Sequence, residues 1–151
     1  MDKIFMAIAT GLGLGYAPKA PGTFGTLLAF PLHFLLIKLA LPYYIAALAA
    51  IFLIAVFTAG SAEKILDYSD PGAVVIDEII GMLITLIGAP TNFLVWIIGF
   101  FLFRFFDILK PLPLNFIDQR LHGGLGIVLD DIMAGIYGLL CLQLICYVFS
   151  W

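Results

Sequence analysis

Five apolar stretches, residues 24–41, 43–60, 79–89, 92–106 and 132–149, make up more than half of this chain, and proline, glycine and charge separate them. A membrane crossing needs about 20 apolar residues, with about 17 as the lower limit. The first, second and fifth stretches reach that limit. The third and fourth are short and read as a helical hairpin turning at 88–92, its tip covered by other helices so that no backbone group faces hydrocarbon unpaired. The expected fold is all-α: one domain over residues 1–151, a polytopic membrane helical bundle of about five hydrophobic helices with the third and fourth forming a short hairpin.

Composition supports that class and closes others. Hydrophobic residues reach 64% and charged residues only 11%, against about 25% charged in an ordinary soluble domain. A chain of this size cannot hide so much apolar surface inside itself. A net charge of −3 argues against nucleic acid as a partner. The opening Met1-Asp2-Lys3 lacks the basic start of a cleavable signal peptide. Cys141 and Cys146 form no CxxC pair, and no Cys-x5-Arg phosphatase motif is present.

The charges that do occur are segregated. If the chain crosses as described, all ten carboxylates fall on one side, with Lys3, Lys19, Lys64, Arg104, Lys110 and Arg120; only Lys38 falls near the other. The positive-inside rule makes the charged side cytoplasmic.

Four patches on that side carry nearly all the chemistry. In the first, alternating glycines from Gly11 to Gly15 lead into Ala20-Pro21-Gly22-Thr23-Phe24-Gly25-Thr26. Backbone N–H groups, Lys19 and Thr23 could cradle a phosphate where a helix begins, although the pattern is neither a P-loop nor a dinucleotide fingerprint. In the second, Asp77 and Glu78 open an apolar helix. One carboxylate would serve as a cap or dipole partner, while a second is costly near lipid. Glu78 shares its face with Gly81, Met82 and Thr85 and should point inward; the direction of Asp77 is less decided. In the third, Arg104, Asp107 and Lys110 recur at steps of three and share one helical arc, suited either to an ion pair or to a site that holds a cation and a phosphate together. In the fourth, His122 precedes a glycine-rich turn and a second acidic pair, Asp130 and Asp131, which is read as opening another apolar helix. Asp131 lies on the face of Ala134, Gly135 and Gly138. His122 is a loop hydrogen-bonder, a proton donor or a support for the phosphate. A set of carboxylates without cysteine or paired histidine favours Mg²⁺ over zinc.

These pieces resemble the phosphatidylglycerophosphatase A family of small bacterial membrane phosphatases. The resemblance rests on Ala20 to Thr26, on Val75-Ile76-Asp77-Glu78-Ile79-Ile80-Gly81, on Phe103-Arg104-Phe105-Phe106-Asp107-Ile108-Leu109-Lys110-Pro111 and on the run from His122 to Gly135, in the family's order. It implies Mg²⁺-dependent hydrolysis of phosphatidylglycerophosphate, a phospholipid, to phosphatidylglycerol and phosphate at the cytoplasmic face of the inner membrane. Asp77, Glu78, Asp107, Asp130 and Asp131 are the expected catalytic and metal-binding carboxylates. Lys19, Thr23, Arg104, Lys110 and His122 are the expected phosphate contacts. Two rivals fit less well. A CDP-alcohol phosphatidyltransferase also uses aspartates and Mg²⁺, but its DGxxAR pattern is missing. A small ion-coupled transporter would place carboxylates near the bilayer midplane, whereas these lie toward helix ends.

Overall fold

Proline and short polar residues set most of the helix boundaries. Pro21 stands at the start of α2 (Pro21–Leu36) and Pro42 at the start of α3 (Leu41–Leu66), where a missing N–H costs nothing. Asn92 caps α5 (Phe93–Leu109) by accepting a hydrogen bond from the Leu94 N–H at 3.0 Å. The computed structural model describes residues 2–111 and 123–151. Among them it has three further α-helices, α1 (Asp2–Ala9), α4 (Ile76–Thr85) and α6 (Gly123–Phe149), a 3-10 turn at Leu14–Tyr16, and no strand.

Among the described residues, only α3 and α6 are long and apolar enough to cross a membrane, and in each the apolar window is just 28% buried. The rest of those faces is apolar and turned outward, as lipid requires and water does not allow. The first apolar stretch is not the full crossing that its 18 residues promise: α2 stops at Leu36 after 16 residues. Ala40 must be extended to cap α3 (ψ 148°), so the chain leaves the helix after Ile37, which still has helical dihedrals, to make the connection. Two other boundaries shift outward. Helix α3 runs on to Leu66, and α6 begins at Gly123 rather than near Ile132. Asp130 and Asp131 therefore sit two turns inside α6 instead of opening it. They do no capping, and their carboxylates must find partners elsewhere.

Helices α4 and α5 form an antiparallel hairpin. Glu78 lies by Arg104 at its open end, while a Cβ on Gly99 would touch Leu86 near its tip. Ten-residue α4 ends inside the bundle, which strands carbonyl groups in apolar surroundings. Side chains from three other helices satisfy them. Tyr44 of α3 donates to the Leu83 carbonyl at 2.9 Å, Gln143 of α6 to that of Ile87 at 2.7 Å, and Trp96 of α5 to that of Pro90 at 2.9 Å. His33 Nδ1 lies 3.0 Å from the Tyr44 hydroxyl, and because that hydroxyl's proton goes to Leu83, Nδ1 is the donor in this contact. Leaving any of these carbonyls unpaired would cost about 1–3 kcal/mol.

Glycines bring α4 and α6 into backbone contact. A Cβ on Gly135 would come within 3.0 Å of the Gly81 carbonyl carbon, and one on Gly138 within 2.8 Å of the Thr85 hydroxyl. Thr85 itself donates to the Gly81 and Gly135 carbonyls, at 3.1 and 3.2 Å. The contacts climb both helices in the same direction, so α4 and α6 run parallel. Asp77 stands four residues before Gly81, and Asp131 four before Gly135. The packing that joins the glycines therefore joins the carboxylates one turn away.

Candidate active site

At the end of the bundle where α4 and α6 start, Asp77, Glu78 and Asp131 each offer a carboxylate oxygen, and the three oxygens lie within 4.8 Å of one another. Asp77 and Asp131 are 7% and 5% exposed. Asp77 Oδ1, Glu78 Oε2 and Asp131 Oδ2 are buried without a hydrogen-bond partner. Such a group cannot be fully ionised without compensation. Helix α4 is too short to span a bilayer, and at its first turn burial, followed by the adjacent Glu78, holds the Asp77 carboxyl well above the usual range. Burial, then Asp131, pushes Glu78 up to about 8. Three converging carboxylates with orphaned oxygens, and no cysteine or histidine among them, suit a hard cation such as Mg²⁺.

The five acidic candidates divide by partner. Asp107 accepts a hydrogen bond from Arg104 Nη1 at 2.5 Å, and the same nitrogen lies 3.9 Å from Glu78 Oε1. The ion pair anticipated for Arg104 is thus present, and the guanidinium also reaches the edge of the trio. Lys110 stands just past the end of the helix that carries the expected arc. Helix α5 ends at Leu109, and Lys110, next to Pro111, takes a left-handed conformation (φ 43°). Proline disfavours right-handed helical geometry in the residue before it, so Lys110 caps the helix, where its side chain pairs with Asp130 and its charge also acts on Asp107. Both Asp77 and Glu78 point inward, which settles the direction of Asp77.

A cavity of about 270 Å³ opens over these groups. Asp77, Glu78, Asp107, Lys110, Asp130 and Asp131 line it, with Glu63 at the end of α3 and Asp70 in the following loop. Lys19 is exposed in the loop before α2, and Thr23 is half-buried in the first turn of that helix. His122 lies outside the described residues. Glu63 and Asp70 were not among the candidates; both belong to the charged side, but no periodicity aims them at the site. Gly22 was also missed as a site residue. It brings the α2 backbone so close that an added Cβ would lie 3.1 Å from both Glu78 Cδ and Arg104 Nη1, and nearer still to Glu78 Oε1. Helix α2 has no side-chain cap there, so its first N–H groups begin beside the carboxylate and the guanidinium.

A helical bundle with apolar outer faces that sets carboxylates and a lysine around a cavity at one end, with an arginine beside them, has by class the site of an enzyme of phosphate chemistry. The sequence profile described as phosphatidylglycerophosphatase A matches residues 7–146, and the chain belongs to that family. It is 40% identical over 137 residues to the Escherichia coli K12 protein named phosphatidylglycerophosphatase A, covering 90% of this chain and 80% of that one. The Haemophilus influenzae protein of the same name is 36% identical over 142 residues, 93% of this chain and 87% of its own. A Bacteroides thetaiotaomicron protein, provisionally named a phosphatidylinositol-3-phosphatase, is 41% identical over 137 residues, 86% of each chain. No solved structure matches the chain.

Proposed function

We propose that this chain is a phosphatidylglycerophosphatase of the bacterial inner membrane, cleaving the phosphate monoester of phosphatidylglycerophosphate at the cytoplasmic face. The observation that carries the reading is the buried trio Asp77, Glu78 and Asp131 set against Arg104. Those three carboxylates would hold Mg²⁺, which when bound supplies polarisation of the phosphate and a water of lowered pKa.

The remaining roles belong to the chain's own groups. Arg104 binds phosphoryl oxygens, and Asp107 fixes the plane of its guanidinium. Lys110, held by Asp130, places a second positive charge at the cavity wall. At the first turn of α2, which has no side-chain cap, the Gly22 N–H is the donor nearest the same phosphate, with Thr23 next in the chain and Lys19 just before the helix. Asp77, at the start of α4, and Asp131, two turns inside α6, are kept in register by the glycine contact behind them. In the reaction, a P–O bond forms to the oxygen of water and the ester P–O bond breaks. Water gives up a proton, the glycerol oxygen gains one, and inorganic phosphate departs. The cytoplasmic assignment rests on the lysine and arginine bias toward this end of the bundle. Helices α2, α3, α5 and α6 would form the membrane body, with α4 dipping in and ending at the hairpin tip.

Phosphate release from dioleoyl phosphatidylglycerophosphate by the purified protein in detergent tests this reading, with phosphatidylinositol 3-phosphate run in parallel. We expect release with MgCl₂, its loss in EDTA and its return with excess Mg²⁺. Faster hydrolysis of the inositide would reassign the headgroup, and release from neither lipid would overturn the phosphatase reading. Activity that survives EDTA would remove the metal from it.

A further inference from the structure

A second cavity, about 340 Å³ and wholly apolar, lies between α1, α2 and the start of α4. Its walls are Ala7 and Ile8 of α1, Leu28, Leu32 and Leu35 of α2, and Ile79 of α4. We propose that this groove seats one hydrocarbon chain of the lipid substrate while the phosphate lies at the carboxylate trio, an assignment that rests on the lipid phosphatase reading above.

The groove neighbours the site along two helices, although no residue lines both cavities. Ile79 in its wall directly follows Glu78. Helix α2 carries both features on different faces: Gly22 meets Glu78 and Arg104, while Leu28, Leu32 and Leu35 make a stripe at helical spacing along the groove. Leu28 is roughly 9 Å and Leu35 roughly 20 Å beyond Gly22 along the helix axis. A chain laid on this stripe therefore begins within two turns of the phosphate position and runs toward the apolar end. Helix α1 closes the opposite wall. It is anchored there by the Val75 N–H donating to the Ala9 carbonyl at 2.8 Å and by the edge-to-face contact of Phe5 with Phe57. Val75 caps α4 two residues before Asp77, so the wall of the groove and the acidic centre hang on the same turn. A further apolar crevice, at Ile98, Phe101, Leu102 and Phe105, is walled by α5 and offers no such channel.

The test compares dioleoyl with dihexanoyl phosphatidylglycerophosphate in the intact protein. Leu32→Trp fills the groove from α2. Leu35→Trp, at a position already 61% exposed, does so with less demand on folding. Leu102→Trp serves as the control on α5. We expect either groove variant to raise KM for the dioleoyl lipid at least about fivefold with kcat kept, as loss of uniform substrate binding predicts, and to leave the dihexanoyl lipid unchanged. Equal losses on both lipids, or the same loss from Leu102→Trp, would mean that bulk lipid fills the groove, and would overturn the proposal. If the wild-type protein released phosphate from neither lipid, the phosphatase reading would have failed, and labelling would then judge the groove separately. A phosphatidylglycerophosphate with a diazirine in its acyl chain should crosslink mainly to Leu32 and Leu35. Label spread evenly over α2, α3 and α6 would overturn the groove assignment.

Discussion

Gly22→Ala is the sharpest perturbation of the site, because it adds one methyl group and alters no charge. The new Cβ would stand 3.1 Å from Glu78 Cδ and from Arg104 Nη1, and well inside contact distance of Glu78 Oε1. Its obstacles are the far ends of two side chains, so the backbone can stay and the carboxylate must move by on the order of an ångström. A forced off-rotamer side chain costs about 0.5–1.5 kcal/mol, small enough to leave the fold intact. A misplacement of about 1 Å at a catalytic centre can cost about 10²-fold in rate, or about 2.7 kcal/mol of transition-state stabilisation. We therefore expect kcat/KM for phosphate release to fall by about two orders of magnitude with little change in Tm. Glu78→Asp shortens the side chain by one methylene and makes room for the methyl, so the double variant Gly22→Ala/Glu78→Asp should lose at least about tenfold less than the product of the two single losses, a coupling read by a double-mutant cycle. Gly124→Ala is the contrasting case. Its Cβ would meet the backbone of Val56 and Gly60 where α3 crosses α6, and it should lower Tm outright. Full activity in Gly22→Ala, or a loss that tracks unfolding and ignores Glu78→Asp, would refute the reasoning.

Asp77→Asn, Glu78→Gln and Asp131→Asn should each lower turnover at least about 10²-fold while eluting as normal monodisperse protein; near wild-type rates would remove the trio from the chemistry. Arg104→Lys keeps the charge but loses the planar fork, so kcat/KM should drop at least about tenfold and vanadate should inhibit more weakly, whereas unchanged inhibition with reduced Tm would leave Arg104 a purely structural partner of Asp107. The Glu78 carboxyl, raised from 4.5 to about 8, binds more protons in the folded than in the unfolded chain. Stability of EDTA-stripped protein should accordingly fall as pH rises from about 4.5 toward 8, and added Mg²⁺ should raise Tm more at pH 8 than at pH 6; a pH-independent Tm in thermal unfolding would contradict this.

Much of the architecture was legible in the order of residues. Confining all ten carboxylates to the segments between apolar stretches is a property of the chain, because lipid penalises charge wherever the helices finally pack. The inward face of Asp131 follows from the 100° step that aligns it with Gly135 and Gly138, and the short hairpin follows from two stretches below crossing length. What periodicity could not supply was the identity of each facing neighbour. That Asp77 and Asp131 share one centre depends on α4 and α6 running parallel in glycine contact. That Asp130 answers to Lys110 depends on the end of α5 lying against α6, two turns after its start at Gly123. Gly22 reads as one member of a glycine-rich segment before a helix until α2 is laid against Glu78. The carbonyls at the hairpin tip find Tyr44, Trp96 and Gln143 only through contacts up to 56 residues apart. Helical periodicity determines which side of a helix is presented, while the site arises between helices, where long-range packing alone decides which groups meet.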